Sequence, residues 1–277
     1  MNNADQIRRA NSAFMTGLTA LCTLLAVGAL LIILSHIAWE GIGSLNVRFL
    51  TDVPRPVGEG GGIGNAIAGS LVLLLLASVI GLPLGICVGV YLAEIGSGRF
   101  GGAVRFLVDT LTGIPSIVTG VFVYAILVLP MKHFSAFAGG VALALIMIPI
   151  VARTTEEMLK LVPHSLREGA LALGAPQWRV TLGVVIPAAA PGIATGAMLA
   201  IARISGETAP LLFTAFGSRF FPTTLNDPIA SLTVQIYNYA ISPYDEWHAQ
   251  AWAATLVLMT LVLGINIIVR FLTRKRF

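Results

Sequence analysis

The sequence predicts an all-α integral membrane protein with about six transmembrane helices. Three observations lead there. Of the 277 residues 56% are hydrophobic and only 11% charged, against roughly 25% charged in an ordinary soluble domain. Stretches 10–39, 60–93, 110–131, 133–152, 180–202 and 247–269 contain no Asp, Glu, Lys or Arg, and each reaches the span of about 20 residues that a bilayer requires. The basic residues between those stretches also fall mainly on one side of the membrane when the runs are threaded through it.

Residues 10–39 form a longer run than the roughly 7–15 apolar residues of a cleavable signal. A retained first helix is therefore expected near 16–38, behind a cytoplasmic N-terminus at 1–15. Further helices are expected near 66–92, 112–130, 134–152, 181–203 and 250–272, followed by a basic cytoplasmic tail at 273–277. Residues 16–64 make one unit of first helix and outer loop, with Pro54, Pro56 and Gly60–Gly62 giving that loop a flexible character. The outer segment 204–249 carries Pro210, Pro222, Pro228 and Pro243, and a short interfacial helix is expected within 228–241.

With the N-terminus inside, the inner segments hold Arg8, Arg9, Arg99, Arg105, Arg153, Lys160, Arg167, Arg179, Arg270, Arg274, Lys275 and Arg276. The outer ones hold Arg48, Arg55, Lys132, Arg203 and Arg219, so the count is twelve against five. An even helix count with both termini cytoplasmic follows. The formal net charge of +4 is thus a topology signal and not a nucleic-acid footprint. Cys22 and Cys87 lie within apolar runs and behave as small hydrophobes.

Within the runs, Gly81, Gly85 and Gly89 sit four apart, as do Gly192 and Gly196. That spacing lets helix backbones approach closely in lipid. Pro83, Pro149, Pro187 and Pro191 each remove a backbone donor, so kinks are expected.

The inner loop 153–180 contains Val162-Pro163-His164-Ser165-Leu166-Arg167-Glu168-Gly169-Ala170-Leu171-Ala172-Leu173-Gly174-Ala175-Pro176. Ser165 and Glu168 match a capping box, Ala and Leu support a helix, and Gly174 and Pro176 suit its end. A helix of about two turns is too short to persist alone in water. Leu166, Leu171 and Leu173 also give it more apolar surface than a free loop needs. Either this chain or a partner protein covers it, and the residues leave both open.

Near the end of the fifth run, Arg203 and Glu207 are four apart and share a face on a continuous helix. Such charges at membrane depth face a bundle interior or a wet cavity. A packing salt bridge is one reading; the other is a guanidinium offering paired donors to an oxyanion. Arg153, beside Glu156 and Glu157, is an interface anchor or a lining of the inner exit.

The chain lacks catalytic machinery of its own. A phosphate-binding loop needs a Gly-Lys pair, and Lys132, Lys160 and Lys275 follow Met131, Leu159 and Arg274. His36, His133, His164 and His248 are scattered without an HExxH pair, so a zinc protease is disfavoured.

Glu168-Gly169-Ala170, then Gly174, then Val184-Val185-Ile186-Pro187 resembles the EAA loop of ABC-importer permeases, with Gly169 where the family usually has Ala. Arg203-Ile204-Ser205-Gly206-Glu207-Thr208-Ala209-Pro210 is similar to the signature of the phosphate-specific members. Tyr91-Leu92-Ala93-Glu94 and Gly113-Ile114-Pro115-Ser116-Ile117-Val118 agree.

The resemblance implies a type I (MetI-like) permease bundle over 65–272 in a bacterial inner membrane. Its 165–174 helix, with Ser165, Glu168, Gly169, Ala170, Leu171 and Gly174, would dock into a cytosolic ATPase and drive alternating access. Implied partners are a second permease subunit, two ATPase subunits that bind ATP and Mg, a periplasmic phosphate-binding protein and membrane lipid. No cofactor is expected in this chain. Arg203, Glu207 and Arg153 would line the phosphate path, with the second permease supplying further donors. A permease for molybdate or sulfate, and a self-sufficient secondary anion transporter, remain as alternatives.

Overall fold

A computed structural model describes residues 3–274 of the chain. Lys275, Arg276 and the end of the predicted basic tail lie outside the described residues. Among those described there is no strand, only an isolated bridge between Pro54 and Gly61. Five helices are long and apolar enough to cross a membrane: α1 (Asn3–Ile42), α3 (Gly64–Glu94), α6 (Ala136–Lys160), α8 (Gln177–Ser205) and α11 (Asp245–Arg274). A sixth span is reached when α4 (Arg99–Gly113) and α5 (Ser116–Met131), which meet at 105°, are counted as one broken element.

That bend corrects the expected third helix at 112–130. Pro115 disfavours helical torsions at the residue before it, and Ile114 accordingly adopts φ −71°, ψ 132°. α5 restarts at Ser116 with Pro115 as its cap residue. α4 was missed because Arg99, Arg105 and Asp109 interrupt its hydropathy. The first span is likewise longer than expected, its helix running from Asn3 through residues assigned to an N-terminal tail.

α6 is the axis of the bundle; 61% of its apolar stretch is buried, against at most 28% in α1, α3, α8 and α11. The glycine spacing explains how its neighbours reach it. Gly81, Gly85 and Gly89 of α3 lie against Met147, Val151 and Thr155, while Gly192 and Gly196 of α8 lie against Met158 and Thr154. A Cβ at Gly85 would stand 2.7 Å from the Val151 Cβ, well inside the roughly 3.5–4.0 Å contact of two carbons. Leu73, Ala77, Leu143, Met147, Val151 and Ile204 fill the core between these helices.

Pro83, Pro149 and Pro191 sit inside continuous helices. Two other prolines leave a different mark. The π-helical segments Tyr124–Val128 and Thr181–Val185 each end two residues before a proline, Pro130 and Pro187. There the N–H of Leu129 reaches back to the Tyr124 carbonyl and that of Ile186 to Thr181. At these two sites the over-wide turn lies just ahead of a residue that brings no N–H and whose ring crowds the preceding turn.

The expected outer loop after α1 packs at its two ends, through Phe49 and Ile63, while residues 55–60 between them are exposed. In α2 (Val47–Thr51) the Asn46 side chain accepts the Phe49 N–H at 2.8 Å, and Phe49 and Ile63 are buried. Beyond α8 the chain forms α9 (Ala209–Thr214) and α10 (Leu232–Ala240). The latter is the short helix expected within 228–241. Ser231 caps its first turn, and Ser70 of α3 accepts the Leu232 N–H at 2.8 Å. α1 stands apart, packing against α11 with none of its apolar window buried; the His36 ring meets Trp252 edge-on at 5.1 Å.

Candidate transport and coupling sites

The short helix expected at 165–174 is α7, His164–Ala172. Its start differs from the expectation. Pro163 (φ −55°, ψ 138°) is the cap residue and no side chain caps the first turn, so the Ser165–Glu168 capping box does not form. The proline's fixed φ already suits a helix start, which places Ser165 inside the first turn. The end is as the sequence indicates. Gly174 has φ +82°, its N–H donates to the Leu171 carbonyl at 2.9 Å, and the Ala175 N–H donates to Ala170 at 3.3 Å. These two bonds are the Schellman closure of a helix.

Ala170 and Ala175 turn toward Leu159, Val162 and Val180. Leu166, Leu171, Leu173 and Trp178 remain exposed, Leu173 at 89%. This chain therefore covers one face of α7 and leaves the other bare. Glu168 and Gly169 lie exposed, with no atom near a Cβ added at Gly169.

Arg167 reaches the other way. Its Nη1 lies 2.5 Å from Glu94 Oε1 and its Nη2 donates to the Leu159 carbonyl at 2.8 Å. The Thr181 hydroxyl lies between two acceptors, Glu94 Oε2 at 3.2 Å and the Gln177 carbonyl at 3.1 Å. Glu94 belongs to the quoted Tyr91–Glu94 stretch, yet nothing in the sequence pairs it with a residue 73 positions away.

Arg153 occupies a second charged cluster, where α4 crosses α6. Its guanidinium lies 3.0 Å from Glu157, 3.7 Å from Glu156 and 3.8 Å from Asp109. Glu156 is the centre: fully buried, it also receives Arg105 at 2.8 Å and Lys160 at 2.5 Å. Sequence reasoning named Glu156 only as a neighbour. Its Lys160 partner is visible as an i,i+4 pair, whereas Arg105 is not.

At the far end of α8, Arg203 donates to the Glu207 carboxylate. The helix between them is not continuous, since α8 ends at Ser205 and Gly206 is its cap residue. The break turns Glu207 inward to 5% exposure while the Arg203 side chain stays 57% exposed. The Glu207 carbonyl accepts the Thr233 hydroxyl at 2.9 Å, joining the break to α10. A paired carboxylate behind an accessible guanidinium can orient that cation toward an anion. A cavity of about 580 Å³ opens at this end beside Arg55, Arg219, Gln235 and Trp247, without Arg203 or Glu207 in its wall.

Residues 85–277 match the family described as binding-protein-dependent transport system inner membrane component. The phosphate transport system permease protein PstA of Yersinia pestis is 47% identical over 278 residues, covering 97% of this chain and 94% of that protein. PstA of Haemophilus influenzae is 45% identical over 264 residues, covering 95% and 94%. Among solved structures, an inward-facing MetNI methionine ABC transporter chain superposes with a TM-score of 0.61 at 22% identity. The match covers 78% of this chain and 94% of that one, and it shows a MetI-like fold. The chain belongs to the binding-protein-dependent transport inner membrane component family, and within it to the group of PstA phosphate permeases.

Proposed function

We propose that this chain is one of two permease subunits of an ATP-driven importer for inorganic phosphate in a bacterial inner membrane, with both termini in the cytoplasm. The observation that carries the reading is the bare apolar face of α7, closed by Gly174 and held out from the bundle, in a chain of the PstA group. An exposed apolar surface of this kind calls for a protein partner, and a cytosolic ATPase pair that binds ATP and Mg fits it. A second permease and a periplasmic phosphate-binding protein complete the assembly. The chain itself is a transport subunit, and nucleotide hydrolysis belongs to its partners.

Phosphate delivered at the end of the bundle opposite α7 meets Arg203, which Glu207 orients. Arg153, near the α7 end and 43% exposed in its side chain, lines the exit. ATP-driven closure of the ATPases moves α7 through Ser165, Glu168, Gly169, Ala170, Leu171 and Gly174.

The test is uptake of labelled phosphate by cells lacking their own importer and supplied with the four kinds of subunit. Uptake that requires this chain and resists excess molybdate or sulfate is expected. Displacement of phosphate by molybdate, or anion transport by the purified chain alone in liposomes, overturns the reading.

A further inference from the structure

We infer that Arg167 is the positioning residue through which movement of α7 reaches the membrane helices. The inference rests on the proposal that α7 docks on an ATPase. No residue of α7 is fully buried, so few contacts bind it to the bundle. Arg167 is the charged exception, its side chain 19% exposed against 7% for Glu94. One guanidinium touches two other helices and reaches a third through Glu94. Nη1 holds the last residue of α3, Nη2 holds the Leu159 carbonyl in the last turn of α6, and Glu94 passes the contact to Thr181, where the π turn of α8 begins.

Two features separate this from ordinary helix capping. A carboxylate at the end of α3 opposes that helix's own dipole, so Glu94 does not serve α3 alone. The planar fork of arginine is needed to hold a carboxylate and a separate carbonyl at once, which an ammonium does less well. Because the π turn is an over-wide turn, it is the part of α8 best able to change its winding when Thr181 is pulled.

The experiment uses the whole reconstituted complex and records phosphate moved per ATP hydrolysed, together with assembly and melting temperature. Arg167→Gln and Glu94→Gln are each expected to lower that ratio about tenfold while hydrolysis continues. The double variant is expected to be no worse than either alone. A normal ratio in an assembled Arg167→Gln complex overturns the inference. If Arg167→Gln fails to assemble, Arg167→Lys decides: it keeps the charge and loses the fork, so a lowered ratio supports the inference and a normal ratio overturns it. Crosslinking from Leu173→Cys to the ATPase separates the two levels. No crosslink at any stage of the cycle sinks the docking proposal, whereas a crosslink with unaltered coupling in the Arg167 variants sinks only the inference.

Discussion

The wholly enclosed carboxylate of Glu156 receives the Arg105 guanidinium at 2.8 Å, tying α4 to the central helix α6. Arg105 also donates to the Leu92 carbonyl near the end of α3 at 3.3 Å, so three helices meet at one arginine. Removing Arg105 takes away one of three cations around this carboxylate and leaves Lys160 and Arg153 in place, so the loss is that of a hydrogen bond to a charged group, about 2 kcal/mol. Arg105→Ala should show that loss in denaturant titrations of the solubilised protein. Arg105→Ala with Glu156→Leu should recover part of it. An undiminished midpoint in the single variant would show that α4 is held by other contacts.

Gly85→Ala should destabilise the chain by about 1–3 kcal/mol, the usual effect of overfilling a packed interface, because its new methyl meets Val151. Gly264→Ala, in a span where a Cβ meets nothing within 4 Å, is the control and should be neutral or slightly stabilising. Equal midpoints for the two would remove the close-approach argument for α3 and α6.

Two substitutions five residues apart should act on α7 with opposite signs. Gly174→Ala forces a side chain into φ +82° and should weaken the helix end by about 1 kcal/mol. Gly169→Ala lies mid-helix with open space around it and should strengthen it by up to ~1 kcal/mol. Amide exchange across 164–175 reads both, with faster exchange expected in the first variant and slower in the second.

Arg203→Gln should reduce phosphate uptake about a hundredfold, the effect of losing one charge-assisted hydrogen bond of roughly 3 kcal/mol to the anion. It also leaves Glu207 buried without its cation. Adding Glu207→Gln should therefore restore expression without restoring uptake. Full uptake in the double variant would assign the pair to packing alone.

What was legible in the sequence is what short-range physics controls. Charge-free runs marked the spans, the four-residue glycine spacing marked the faces joining α3 and α8 to α6, and Gly174 marked the end of α7. The errors arose where two local rules competed. Pro163 outbid Ser165 for the start of α7, and Pro115 broke a hydropathy run that looked continuous. Gly206 interrupted the helix carrying Arg203 and Glu207, yet the pair formed, because a chain turning back can deliver a carboxylate as well as a helical turn can. Arg105–Glu156 and Glu94–Arg167 were invisible, being 51 and 73 residues apart and brought together only by tertiary packing.

The place of α6 has a consequence for the solute. Among the described residues a helix fills the middle of this subunit, and glycine-mediated contacts draw α3 and α8 tightly onto it. In the proposed two-permease assembly the solute therefore skirts the flank, with one wall furnished here and the opposing wall by the second permease.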